Sequence, residues 1–382
     1  MIQYGKQHIC QDDIDAVVNV LQSDFLTQGP QVPLFESRLC QFTQAQHAVA
    51  VNSATSALHI ASLALGVDKG DIVWTSPITF VASSNSALYC GAVVDFVDVE
   101  LATGNMDMAK LRLKLVDAKR KGLLPKVVIP VHLAGHCCDM KSLAQLAEEY
   151  GFKVIEDASH CIGASYDDSP VGSCQYSDIT VFSFHPVKII TTAEGGAATT
   201  NDAVLAKSMQ LLRSHGVTRD ELHTEHSDEP WYYEQQVLGF NYRMTELQAA
   251  LGVSQFKQLT QLVSRRNILA DYYSERLKTL NIDFVAPCED SYSAWHLMII
   301  LLPKDIDRKA IFDQLREAGI GVNVHYIPVH TQPYYGQLGF KVGDFPASEA
   351  FYQRIITLPL HPQLEFAQLD YICEQLKSFI PR

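Results

Sequence analysis

Short apolar runs alternate with stretches of helical periodicity through the first two-thirds of the chain. Asp71–Thr75, Ala92–Val97 and Lys126–Val131 each read as a strand, and Lys153–Asp157, Asp178–Ser183 and Gly196–Thr199 continue the series. Between them, Ile78–Tyr89 predicts a helix rich in small residues, and Asp139–Tyr150 an amphipathic helix that Gly151 terminates. Near-continuous apolar strands separated by helices predict an α/β fold, with a mostly parallel sheet covered on both faces. Ligands of such sheets bind beyond the carboxyl ends of the strands, which draws His132, Asp157 and Lys188 toward one crevice.

Residues 202–280 predict mainly helix, with one long helix from Thr245 to Arg266. The remainder, about 281–382, reads as a smaller α+β unit. Its expected parts are a strand at Trp295–Leu302, a helix at Arg308–Ala318 and a glycine-bounded segment, Gly321–Tyr326. The expected organisation is a large domain over 1–250, including the N-terminal segment, and a small domain over 251–382. With no low-complexity linker in view, the join is expected within a helix rather than a tether.

Composition narrows the function. Of 382 residues, 47% are apolar and 19% charged, as in an ordinary globular protein. Thirty basic against 43 acidic residues leave a net charge of −13, which repels nucleic acid and anionic membrane. A phosphorylated ligand stays possible, because backbone amides at a helix start bind phosphate inside an acidic protein. The opening Met1–Gln7 carries no signal-peptide pattern, and no run approaches the ~18 apolar residues of a membrane span, so a cytoplasmic location is expected. The nine cysteines are scattered without a Cys-x-x-Cys pair or zinc spacing. Reduced, buried thiols are the economical reading, and no metal is expected, even at His136–Cys138.

Two strand ends carry the chemistry. Lys188 follows an apolar strand in the run Ser183-Phe184-His185-Pro186-Val187-Lys188, with Gly195-Gly196 behind it. Thirty-one residues upstream, another strand ends in Glu156-Asp157. A lysine and an acid at neighbouring strand ends meet the needs of pyridoxal phosphate: a Schiff base, and an anion to hold the pyridine nitrogen protonated. Side chains alternate along a strand, so only one of the two acids faces the ring, and Asp157 is favoured. Asn52-Ser53-Ala54-Thr55-Ser56 leads into a helix of small residues, whose free amides, with the Thr55 and Ser56 hydroxyls, suit a phosphate. Ser183 is placed to add a hydroxyl to the same anion. His160 either packs over the pyridine ring or is a core histidine, and Phe80 either stacks on the ring or belongs to the core.

Five motifs stand in order along the chain: Asn52–Leu58 (NSATSAL), Glu156–His160 (EDASH), Phe182–Lys188 (FSFHPVK), Thr191–Gly196 (TTAEGG) and Gly239–Met244 (GFNYRM). Together they resemble the DegT/DnrJ/EryC1/StrS sugar aminotransferases, nearly end to end. That resemblance implies a PLP-dependent transferase of fold type I, with Lys188 as the Schiff-base lysine that also shuttles a proton. It implies Asp157 on the pyridine nitrogen and Thr55, Ser56 and Ser183 on the phosphate, joined by Asn241 from a partner subunit of a homodimer. Tyr4, Thr27, Gln28, Gly29, His325 and Tyr326 would line a nucleotide-sugar site. The implied reaction moves an amino group from L-glutamate, by way of pyridoxamine phosphate, to the C4 ketone of a UDP-4-keto-6-deoxy-N-acetylhexosamine, as in the pseudaminic acid branch. Ala193 departs from the commoner Thr-Thr-Gly-Glu-Gly-Gly form. Sugar dehydratases on the same scaffold carry histidine where Lys188 stands, which argues against that alternative. Amination of another keto sugar remains the nearer one.

Overall fold

A seven-stranded sheet organises the larger part of the computed structural model, which describes residues 1–219 and 229–380. Helices α1 (Gln11–Leu21) and α2 (Gln31–Thr43) precede strand β1 (His47–Val51), which leads into α3 (Ala54–Ala64). Then β2 (Ile72–Thr75), α4 (Ala82–Tyr89), β3 (Val93–Phe96), α5 (Met108–Lys121), β4 (Val127–Ile129), α6 (Met140–Tyr150) and β5 (Lys153–Asp157) alternate as the apolar pattern predicts. A two-residue-strand hairpin, β6 (Ser165–Tyr166) and β7 (Ser169–Pro170), precedes β8 (Ile179–Ser183) and β9 (Gly196–Thr200). The spatial order is β1-β9-β8-β5-β4-β2-β3. Strands β3, β2, β4, β5 and β8 run parallel, and β9 is antiparallel to both its neighbours.

Both sheet faces are dry, so alternate residues of one strand enter different cores. Val73 and Val127 pack with Leu58 and Ile60 of α3 on one face, while Trp74 and Val128 pack with Leu143 of α6 on the other. In β8, Val181 joins the α3 face, and Phe182 meets Phe35 and Leu39 of α2. Gly151 ends α6 in the left-handed conformation, at φ 78°.

Several elements differ from the sequence pattern. The helix expected from Ile78 begins only at Ala82. Before it, Pro77 and side-chain bonds such as Ser76 Oγ to the Ile78 amide (3.2 Å) hold a turn. After α7 (Ala203–Arg213) the chain leaves the helical state, and Val217–Thr218 pairs antiparallel with Glu234–Gln235. Gly216 forces this, because its φ is +69° and a Cβ there would meet Val237 O at 1.9 Å. Part of the helix expected over 202–280 falls at 220–228, outside the described residues. The long helix from Thr245 is two helices, α8 (Glu246–Phe256) and α9 (Leu259–Leu277), separated at Lys257–Gln258.

Helix α9 belongs to two cores. Leu259, Leu262 and Val263 pack with the sheet, whereas Leu269, Tyr273 and Leu277 pack under a second, antiparallel sheet. That sheet pairs Asp283–Phe284, Met298–Leu301 and Ile355–Leu358, and α10 (Arg308–Glu317) and the helix Phe366–Phe379 cover it. The strand expected at 295–302 is shortened to Met298–Leu301, because Ser293 Oγ donates to Gly135 O (2.8 Å) and turns the chain ahead of it. The N-terminal residues lie against this smaller unit: Ile2 bridges Ile320, and the Tyr4 carbonyl accepts from the Leu360 amide (2.9 Å). Gly321–Tyr326 forms no strand; its backbone pairs with the sheet at the bridge Asn323–Thr357.

Candidate active site

The carboxyl ends of β5 and β8 open into a cavity of about 440 Å³. Asp157, the last residue of β5, is buried and lies in register with Val181 of the neighbouring parallel strand. Ser83 Oγ donates to its Oδ2 and Ser159 Oγ to its Oδ1, both at 2.6 Å, and the Ser159 amide also reaches Oδ1 (3.2 Å). Ser159 makes a local turn two residues on, a bond that the Asp-x-Ser spacing announces. Ser83 comes from α4, and nothing in the sequence pairs it with this acid. Glu156 points through the sheet instead. It accepts from Thr180 Oγ1 (2.9 Å), Ser177 Oγ and His132 Nε2 (2.8 Å). Burial alone would raise its pKa, but these bonds outweigh burial and hold the carboxyl below its usual range.

His132 therefore does not join the crevice. The Cys138 amide donates to its Nδ1 (3.1 Å), so the Nε2 proton is the one it gives to Glu156. The neighbouring His136, Cys137 and Cys138 diverge. His136 packs edge-on to Trp295, while Cys137 and Cys138 point their thiols at the carbonyls of Ser165 and Val131.

Lys188 reaches the cavity from the loop after β8, whose turn is held by the Lys188 amide on His185 O (2.9 Å). Burial lowers its pKa from 10.5 to about 8, and the negative charge of Asp157 opposes that shift. A lysine so depressed has a larger neutral, nucleophilic fraction near neutrality. Ser53, Ala54 and Thr55 line the same cavity at the start of α3. Ser53 caps that helix through the Ser56 amide (3.1 Å), which leaves the first two amides of the helix for an anion. Gly196 lets β9 lie against this turn, since a Cβ there would fall 2.4 Å from Ala54 N.

Ser183, Phe80, His160, Tyr4, His325 and Tyr326 also line the cavity. Tyr326 OH and His160 Nε2 are 3.1 Å apart, and the Tyr4 and His325 rings are 5.5 Å apart. His325 Nδ1 bonds Thr357 Oγ1 (2.9 Å). Burial and then the nearby Lys188 charge push the pKa of His325 down to about 3, and that of His160 well below its usual value. Both imidazoles are neutral near pH 7.

The other predicted site residues lie outside this cavity within one chain. Ser56 donates its hydroxyl to Asn52 Oδ1 (2.7 Å), turned back into the helix start, whereas Ser53 and Thr55 line the cavity. Thr27 and Gln28 are exposed, and Gly29 sits against Phe25 and Glu246. Asn241 is exposed, and its backbone bridges Ser214. Sequence reasoning missed Ser83, Ser159 and Thr357, the groups that orient Asp157 and His325. It also missed Glu194, which lines the cavity mouth.

A nucleophilic lysine, a hydroxyl-braced carboxylate and an anion-binding helix start around one cavity define a phosphate-anchored, lysine-dependent group-transfer site. The residues present fit pyridoxal phosphate. The family model for the DegT/DnrJ/EryC1/StrS aminotransferase family matches residues 7–377, and the chain belongs to that family. It is a PLP-dependent sugar aminotransferase. A curated relative from Campylobacter jejuni, "UDP-4-amino-4,6-dideoxy-N-acetyl-beta-L-altrosamine transaminase", is 36% identical over 387 residues, covering 100% of this chain and 98% of its own. The PMP form of Spr1654 from Streptococcus pneumoniae superposes with TM-score 0.91 at 32% identity over 99% of both chains. Helicobacter pylori PseC, described as an aminotransferase involved in the biosynthesis of pseudoaminic acid, superposes with TM-score 0.90 at 33% identity over 99% of both.

Proposed function

We propose that this chain transfers the amino group of L-glutamate to the C4 ketone of a UDP-linked 4-keto-6-deoxy-N-acetylhexosamine, the L-arabino form, in a pseudaminic acid pathway. The observation that carries the reading is the Lys188–Asp157 pair at the ends of adjacent parallel strands, in a chain alike end to end with a named altrosamine transaminase. Bound in this cavity, pyridoxal phosphate supplies an electron sink and carries the amino group between the two substrates.

The protein's residues supply the rest. The first amides of α3, with the Ser53, Thr55 and Ser183 hydroxyls, hold the phosphate. Asp157 keeps a proton on the pyridine nitrogen; the Ser159 hydroxyl and amide occupy Oδ1, and Oδ2, which accepts from Ser83, keeps a lone pair for that task. Phe80 and His160 flank the ring. Lys188 would hold the cofactor and, when free, its amine would take a proton from and return it to the substrate carbon, as its lowered basicity suits. Tyr4, His325 and Tyr326 line the sugar side. Thr27, Gln28, Gly29 and Asn241 serve the cavity of a second copy, which makes the working unit a homodimer. The division between large and small domains falls within α9, where its contacts pass from one core to the other. Among the described residues no helix is long and apolar enough to cross a membrane, and we assign the enzyme to the cytoplasm.

The test is an amino-transfer panel on PLP-loaded protein with L-glutamate, read by mass spectrometry. It offers the L-arabino and D-xylo forms of the UDP-4-keto sugar, a 4-keto pentose and a 3-keto sugar. Preference for the L-arabino ketone is expected. Turnover confined to another ketone keeps the transamination and overturns the pathway.

A further inference from the structure

Tyr326 is the one phenol of the cavity wall whose hydroxyl is held by a buried ring across the two cores. It stands on the segment 321–326 that borders the small sheet, whereas His160 stands three residues beyond Asp157 on the large one. Their polar atoms are 3.1 Å apart and their ring planes only 19° from parallel. His296 packs on the other side of the His160 ring, centroid to centroid 4.4 Å. Phe80 lies 6.5 Å from the Tyr326 ring, and His325 fixes the preceding residue through Thr357. The phenol is thus set in position before any ligand arrives.

The direction of the hydrogen bond decides what the phenol can do. Among the described residues His160 Nδ1 is buried and has no partner. If Tyr326 donated to Nε2, the imidazole proton would sit on Nδ1 as a buried, unpaired N–H, a rare arrangement in folded proteins. With the proton on Nε2, His160 donates to the phenol oxygen, and Nδ1 keeps only an unpaired lone pair. A nearby lysine charge favours that lone pair and disfavours a second proton on the ring. In this arrangement the Tyr326 O–H is not spent on His160 and is left for the cavity that the phenol lines.

We infer that Tyr326 is a catalytic hydrogen-bond donor to the sugar, aimed by His160, and that its acceptor is the oxygen on the sugar carbon that is to be aminated. This rests on the proposed keto-sugar reading and adds to it a group that polarises the carbonyl. A fixed donor at an oxygen that gains negative charge stabilises the transition state more than the ground state. Burial and the neighbouring Asp157 raise the phenol's pKa, so it keeps its proton through the cycle. His160 acts through Tyr326 and is a positioning residue. The phenol donates a hydrogen bond and transfers no proton permanently, so Lys188 remains the group that moves protons.

Four proteins test it: wild type, Tyr326→Phe, His160→Gln and His160→Phe. Glutamine retains a donor where Nε2 stood, and phenylalanine retains only the ring. Each half of the reaction is followed separately in single turnovers, and UDP-N-acetylglucosamine binding to the cofactor-free protein is measured by calorimetry. Tyr326→Phe is expected to slow the sugar half-reaction about 10²-fold, the usual scale for one lost transition-state donor. The glutamate half-reaction is expected to change less than about threefold, and calorimetric affinity, for a ligand that has no ketone, about as little. His160→Gln should keep most of the sugar half-reaction, and His160→Phe should match Tyr326→Phe. Equal slowing of both halves would overturn the inference, since it would place the phenol on the cofactor. An unaffected sugar half-reaction in Tyr326→Phe would overturn it as well. If no keto sugar is aminated by wild type while glutamate still reacts, the substrate reading fails first, and UDP-sugar binding shows whether the site takes a nucleotide sugar at all.

Discussion

The depressed basicity of Lys188 should be visible as lost stability in the cofactor-free enzyme. Folding carries this amine from a pKa of 10.5 to about 8. A shift of that size corresponds to about 3.4 kcal/mol at most, from roughly 1.4 kcal/mol per unit. Lys188 is only part-buried, and water at the cavity mouth reduces the figure to about 1–3 kcal/mol. The attraction of Asp157 is already inside it. The sign follows from proton counts: between about pH 8 and 10.5 the unfolded chain holds more protons on this group than the folded one, so the penalty is complete below pH 8 and fades as pH rises. Lys188→Met removes the charge and keeps the length. Cofactor-free Lys188→Met should therefore resist urea better than cofactor-free wild type by about 1–3 kcal/mol at neutral pH, and by less than half as much near pH 9.5. Comparing two variants at each pH cancels the titrating groups that do not feel the Lys188 charge; His160 and His325, which do, are neutral at both pH values. A Met variant no more stable than wild type at neutral pH, or a difference that does not change with pH, would refute the claim that burial of a charged amine sets this lysine's chemistry.

Three further outcomes are expected. Asp157→Asn should still bind cofactor, since phosphate and lysine anchors remain, yet lose turnover by about 10²-fold or more through loss of a preorganised charge; equilibrium binding and steady-state rates separate the two. Inactive Lys188→Ala mixed one-to-one with inactive Asn241→Ala should recover about a quarter of wild-type activity if subunits pair at random and share sites, because half the dimers are hybrids with one intact site each. No recovery after verified subunit exchange would remove Asn241 from the partner's site. Ala193 holds a left-handed backbone at φ 65°, so Ala193→Gly should stabilise the protein by about 0.5–1 kcal/mol in chemical denaturation.

The strand series, the two-faced sheet and the Lys188–Asp157 pair were legible in the chain because each depends on local pattern. Apolar runs of strand length define buried strands wherever they occur. Alternation along β5 allows only one of Asp157 and Glu156 to face the crevice, and the structure sends Glu156 through the sheet to His132 and Thr180. Ser53 and its neighbours announced a helix start by side-chain type alone. The reading failed where a specific side-chain or backbone contact, near or far in sequence, overrides the apolar period. His132 left the crevice because Cys138 and Glu156 both claim its ring. The helix from Ile78 lost its first turn to side-chain bonds near Pro77, and the chain after Arg213 left the helical state because Gly216 meets Val237.

The sequence by itself determined the strand series and the placing of a lysine and an acid at neighbouring strand ends, since hydrophobic period and residue type are properties of short windows. Only tertiary structure decided which hydroxyls brace that acid and which rings meet His160, Tyr326 and His296 among them. Those are pairings across 74 residues for Ser83 with Asp157 and 166 for Tyr326 with His160. No local propensity encodes such pairs; the packing of α4 on the large sheet brings Ser83 to Asp157, and the contact between the large and small units brings Tyr326 to His160.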